Sequence, residues 1–224
     1  LEQFSMIFTP YGAPKRPEDY LAETEFLDFG APAVAAFAAE ATDGAETPVD
    51  QAVKLFYAVR DRIRYDAFRI DFRRQTFAAS TVVTEGAAFC IPKAVLLAAT
   101  ARSVGIPAAI ALSDVVNHFT TPKLQAMMGD CDVFIHHGYA ALYLEGRWVK
   151  AAPAFNIELC NRFGTTPTEF DGREHALLQE YDADRNLHME YLKNHGYWSD
   201  LPFERIKQDF EGYYPADFLK ANAA

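Results

Sequence analysis

Nucleophilic or metal chemistry in this 224-residue chain has to come mainly from three cysteines (Cys90, Cys131, Cys160) and six histidines (His118, His136, His137, His175, His188, His195). No histidine pair has the spacing of HExxH and no CxxC occurs, so the sequence gives a zinc site no support. Cys90 is set apart by its position. In "TEGAAFCIPKAVLLAATARSVGIPAAIAL" (84–112) it stands at the mouth of a helix that is apolar almost all the way round. Pro92 suits the first turn of a helix beginning near Cys90. A helix N-terminus carries about half a positive charge, and a thiol placed there is expected to have its pKa lowered toward or below neutrality. Gly86, Ala87 and Ala88 just before it are small and leave room for a substrate. Packing alone accounts for Cys131 and Cys160, because a free cysteine is commonly a small buried hydrophobe.

A nucleophilic thiol needs a base. His136 and His137 fall in the middle of an apolar segment, 131–144, that reads as a strand, so their side chains point to opposite faces. Glu145-Gly146 is a two-residue hairpin signal joining it to a second strand at 147–156. That turn pairs Leu144 with Arg147 and sets His137 opposite Ala154. Ala152 and Asn156 then lie diagonal to His137 on its own face. Asn156 could fix the imidazole tautomer, or could simply end the strand. His136 is the alternative base.

The remaining pattern supplies elements to position these residues. Helices are expected at 31–42, from Thr47-Pro48 (an N-cap followed by a first-turn proline) to about Tyr65, at 90–104 before Gly105, and near 186–195 and 202–213. Residues 1–9 look extended, and 108–116 reads as a strand. Helices followed by an antiparallel sheet give an α+β domain spanning 1–224, with a core of about 48–160 and a C-terminal extension of about 161–224. Half of the residues are hydrophobic, enough for a sizeable core. The net charge of −10 argues against a nucleic-acid partner, whose footprint is basic. No apolar run reaches the ~20 residues needed to span a bilayer. Without a signal peptide or a paired-cysteine framework, the expected setting is cytoplasmic and reducing.

"GAAFCIPKAVLLAATARSVGIPA" resembles the cysteine motif of the transglutaminase-like superfamily, and "HGYAALYLEGRWVKAAPAFN" resembles that family's histidine strand and following hairpin. The resemblance runs from about Tyr65 to Asn156. It implies a papain-like, transglutaminase-like core in which a buried cysteine-bearing helix packs on an antiparallel sheet, with Cys90 as nucleophile and His137 as base. It implies no cofactor. The family usually places an aspartate just before the proline of the second hairpin strand, where this chain has Ala152. Asn156 is then the best geometric candidate for the third member, followed by Asp114 and Asn117. Two functions follow as expectations. One is a thiol-dependent acyl-transfer enzyme acting on a peptide or protein amide as peptidase, deamidase or transamidase. The other is a catalytically weakened binding module that kept the fold.

Overall fold

In a computed structural model, residues 16–118, 121–178, 189–216 and 218 are described. The extended stretch expected at 1–9 lies outside them. Seven α-helices occur among the described residues: α1 (Pro32–Ala41), α2 (Pro48–Arg62), α3 (Ala79–Glu85), α4 (Cys90–Ser103), α5 (Pro122–Met127), α6 (Ile157–Phe163) and α7 (Phe203–Tyr213). A short parallel pair, β1 (Arg64–Tyr65) with β2 (Ala87–Ala88), leads directly into α4. The main sheet is antiparallel in the order β5-β4-β3-β6, from β3 (Ala108–Asn117), β4 (Val133–Leu144), β5 (Arg147–Ala151) and β6 (Met189–Trp198). This is the α+β arrangement expected, with the cysteine-bearing helix packed on the sheet. No helix among the described residues is long and apolar enough to cross a membrane.

α2 begins as its sequence predicts. Thr47 Oγ1 accepts the Asp50 N–H at 3.1 Å while Asp50 Oδ2 accepts the Thr47 N–H at 3.1 Å, so two otherwise unpaired donors are satisfied together. α4 is buried on every side, from Ile91 through Arg102, which explains why its sequence shows no polar face. Two cations are buried with it. Lys93 Nζ donates to the carbonyls of Arg60 (2.8 Å) and Ile63 (2.5 Å) at the end of α2, and burial draws its pKa down to about 7. Arg102 donates to Ala108 O through Nε and one terminal nitrogen (2.9 and 2.7 Å), and to Ala22 O (2.6 Å) and Ser199 O (2.7 Å). One guanidinium thus ties the end of α4 to the start of β3 and to two loops far apart in sequence.

Arg102→Ala should lower stability by about 3–5 kcal/mol, because three carbonyls lose a charged donor and a buried stem leaves a void. Arg102→Lys should recover little, since an ammonium cannot reproduce the fork. Chemical denaturation of the three proteins checks this, and equal midpoints for wild type and Arg102→Ala would overturn it.

The strands depart from expectation in two places. β5 stops at Ala151 rather than 156, because the Ala152 N–H turns to Ala176 O (2.8 Å) and Pro153 has no N–H to continue the ladder. The segment expected as a helix at 186–195 is, where described, strand β6, which pairs with β3 from Ile110 to Asn117. Met189 and Leu192 imitate helical spacing, but Leu192 is an exposed residue of a strand.

Candidate active site

The chain entering Cys90 is held by backbone hydrogen bonds. The Arg64 N–H donates to Gly86 O (2.9 Å) and the Asp66 N–H to Ala88 O (3.0 Å), which fixes the chain entering α4. Phe89 is the N-cap and offers no side-chain hydrogen bond, so the first N–H groups of the helix stay available. The N–H of Gly138 on β4, with those of Ile91 and Cys90, favours the thiolate over the thiol. β4 can supply Gly138 only because that residue has no side chain. A Cβ there would lie 2.7 Å from Ile91 Cα and 3.3 Å from Cys90 O. Glycine inside a strand is a sequence signal for such close approach of backbones.

The thiol does not have the depressed pKa expected of a helix mouth. Burial outweighs the three N–H groups and pushes Cys90 up to about 11. His137 moves the opposite way, burial alone pulling it down to about 4. The resting pair is therefore a neutral thiol and a neutral imidazole. No hydrogen bond joins them among the described residues, but both line one cavity of about 20 Å³, with room for a single water. Phe134 and Ile135 of β4, Leu124 of α5, and Phe210, Tyr214 and Phe218 of the C-terminal segment also line it. Alkylation of Cys90 should accordingly be slow at neutral pH and rise toward pH 11, rather than being fast below pH 7. Site-resolved mass spectrometry of iodoacetamide adducts against pH checks this; a plateau reached below pH 7 would contradict it.

The hairpin turn has the expected form. Glu145 (φ 48°) and Gly146 (φ 83°) both take the left-handed backbone, and Leu144 pairs with Arg147 in a register that holds to Ala140–Ala151. Beyond Ala151 the pairing ends, so Asn156 is not carried alongside His137 as part of the ladder. Asn156 instead precedes α6, and its Oδ1 accepts the Tyr65 N–H at 3.1 Å, which steadies β1 beside the entry to α4. Ala152 is buried in an apolar cluster with Tyr139, Ala154 and Leu178, against which Cys90 and Tyr191 pack. The Tyr191 ring stands 6.1 Å from that of His137. Nε2 of His137 is buried with no hydrogen-bond partner among the described residues.

His136 and His137 do occupy different surroundings, with an irregularity between the strands that alternation alone would not foresee. Ser113 pairs with His137 but Val115 with Phe134, so β4 carries an extra residue, and His136 takes φ 56°. Asp114 Oδ1 accepts the His136 N–H at 3.0 Å and bonds His195 Nε2 at 2.7 Å. Burial would raise the pKa of Asp114, but the His195 hydrogen bond and charge bring it below the ordinary carboxylate value. His136 Nε2 bonds Asp209 of α7 at 2.6 Å, and the His136 and His195 rings lie 4.3 Å apart. Sequence reasoning missed this four-residue group, because β6 was not recognisable as the neighbour of β3. Among the described residues no three His, Cys, Asp or Glu side chains converge as a metal-binding group.

The model of the transglutaminase-like superfamily matches residues 35–153. No curated protein matches. A proposed cysteine protease from Cytophaga hutchinsonii has a similar structure at 18% identity and a TM-score of 0.45, covering 60% of this chain and 40% of that one. A proposed protease from Parabacteroides distasonis is similar at 14% identity and a TM-score of 0.39, covering 61% and 25%. This chain thus spans less than half the length of either structure. The family match takes in more than half of the 224 residues and contains both the cysteine-bearing helix and the histidine strand, so the chain belongs to the transglutaminase-like superfamily.

Proposed function

We propose that the chain is a thiol-dependent acyl-transfer enzyme acting on amide bonds, as peptidase, deamidase or transamidase. The observation that carries this reading is that Cys90, the first residue of α4, lines one cavity with His137 of β4. In the proposed reaction the Cys90 proton passes to His137 as sulfur attacks the carbonyl carbon. The resulting oxyanion takes hydrogen bonds from N–H groups at the start of α4, foremost that of Cys90. His137 then gives its proton to the departing amine, leaving a thioester that water or a second amine resolves. Because both groups rest neutral, attack and proton transfer are coupled rather than starting from a standing ion pair. Asn156 enters as a positioning residue acting through Tyr65 and β1.

A second reading, a binding module with weakened chemistry, is favoured by one observation: His137 Nε2 meets no acceptor and Ala152 stands where the family places its acid. Incubation with a peptide library and hydroxylamine separates the two. The enzyme reading expects hydroxamates that disappear in Cys90→Ala, whereas peptide binding without any Cys90-dependent product would favour the module.

A further inference from the structure

A cavity of about 400 Å³ adjoins the Cys90 cavity and shares four walls with it: Tyr65, Ala67, Leu124 and Phe134. Its volume is in the range of pockets that hold small ligands, whereas the space beside the thiol holds only a water. Phe68, Phe155 and Phe163 add aromatic surface to the lining, and Phe163 keeps 41% of its surface exposed although it is a large apolar residue. Two arginines also line the cavity. Arg64 is paired with Asp66 at 3.1 Å. Arg162 has no ion-pair or hydrogen-bond partner among the described residues. In a chain of net charge −10, an unpaired guanidinium beside an exposed phenylalanine is a local reversal of sign that packing does not require.

We infer that this cavity receives a substrate group combining an aromatic ring with a carboxylate, the ring among Phe155, Phe163 and Tyr65 and the carboxylate on Arg162. The inference rests on the acyl-transfer reading for what happens next at Cys90, but the binding it describes needs no reaction. Tyr65, Ala67, Leu124 and Phe134 line both cavities, and Leu124 belongs to the six-residue helix α5. Movement of that side chain joins the two cavities into one cleft, with the ring held at one end and the carbonyl brought to sulfur at the other.

The test uses chloroacetyl probes, in which Cys90 sulfur bonds to the methylene carbon, chloride departs and the thiol proton goes to His137 or solvent. Chloroacetyl-phenylalanine should label Cys90 about tenfold faster than chloroacetyl-phenylalanine amide, which lacks the carboxylate, or chloroacetyl-glycine, which lacks the ring. In Arg162→Glu the carboxylate preference should vanish or reverse. In Phe163→Ala the ring preference should shrink, each preference being read as a ratio to plain chloroacetamide labelling of the same variant. Calorimetric titration with N-acetylphenylalanine and its amide measures the same preference without using the thiol. Failure of acyl transfer with both preferences intact would leave the pocket standing. Equal labelling by all three probes, or no difference in affinity between acid and amide, would overturn the inference.

Discussion

Gly138→Ala is expected to cost about 3 kcal/mol, which for a chain of this size lowers the melting temperature by about 6–12 °C. The Cβ would sit 2.7 Å from Ile91 Cα and 3.2 Å from Ile91 N, so backbone meets it on the opposing side and no flexible side chain can give way. Either α4 moves off β4 or the strand bends. Both take the Gly138 N–H away from the Cys90 sulfur, and thiol reactivity should change together with stability. Gly212→Ala in α7 is the control, since nothing lies within 4 Å of its Cβ and alanine suits a helix interior better by up to about 1 kcal/mol. Thermal melts of the two variants should therefore move in opposite directions. A wild-type melt for Gly138→Ala would mean that helix and strand are not in such close contact.

The legible part of this fold was the part written locally. Thr47-Pro48 announced α2, Glu145-Gly146 announced the hairpin and its register, and Pro92 with Gly105 bracketed α4 to within a residue or two. The sites of Cys90 and His137 followed from those elements. Features set by distant partners were not legible. β6 pairs with a strand more than 70 residues earlier, and an exposed Leu192 spoils its alternation. The end of β5 depends on Ala176, a residue on neither strand of the hairpin. The thiol's pKa depends on distant residues in the same way. The helix mouth can be seen in the sequence, but the residues that close the cavity, Phe210, Tyr214 and Phe218, come from the chain's other end. Desolvation by residues so far away is invisible to a motif, and at Cys90 it outweighs the backbone N–H groups.

Ala152→Asp should have the largest effect on chemistry. The new carboxylate would enter the buried cluster against which Cys90 and Tyr191 pack; the Tyr191 ring stands 6.1 Å from that of His137, whose Nε2 has no hydrogen-bond partner among the described residues. A carboxylate accepting from Nε2 raises the imidazole pKa, and an imidazolium beside the thiol lowers the thiol pKa by about three units. At neutral pH that multiplies the thiolate about 1000-fold. Reduced nucleophilicity returns about 30-fold of it, leaving alkylation of Cys90 faster by about 30-fold. Stability against pH gives a second readout. In the wild type His137 has a folded pKa of about 4 against an ordinary 6.5, so its neutral form is favoured, and about 3 kcal/mol is lost as pH falls from 6.5 to 4. In the variant the folded pKa lies above the unfolded one. The imidazolium then contributes stability below pH 6.5 that disappears as pH rises through the raised value, so the slope contributed by His137 changes sign. Ala152→Asn, similar in shape but without the charge, should show neither effect. If Ala152→Asp is instead destabilised by several kcal/mol with Cys90 alkylation unchanged, the carboxylate is buried without reaching the ring, and position 152 is not where this site lacks its acid.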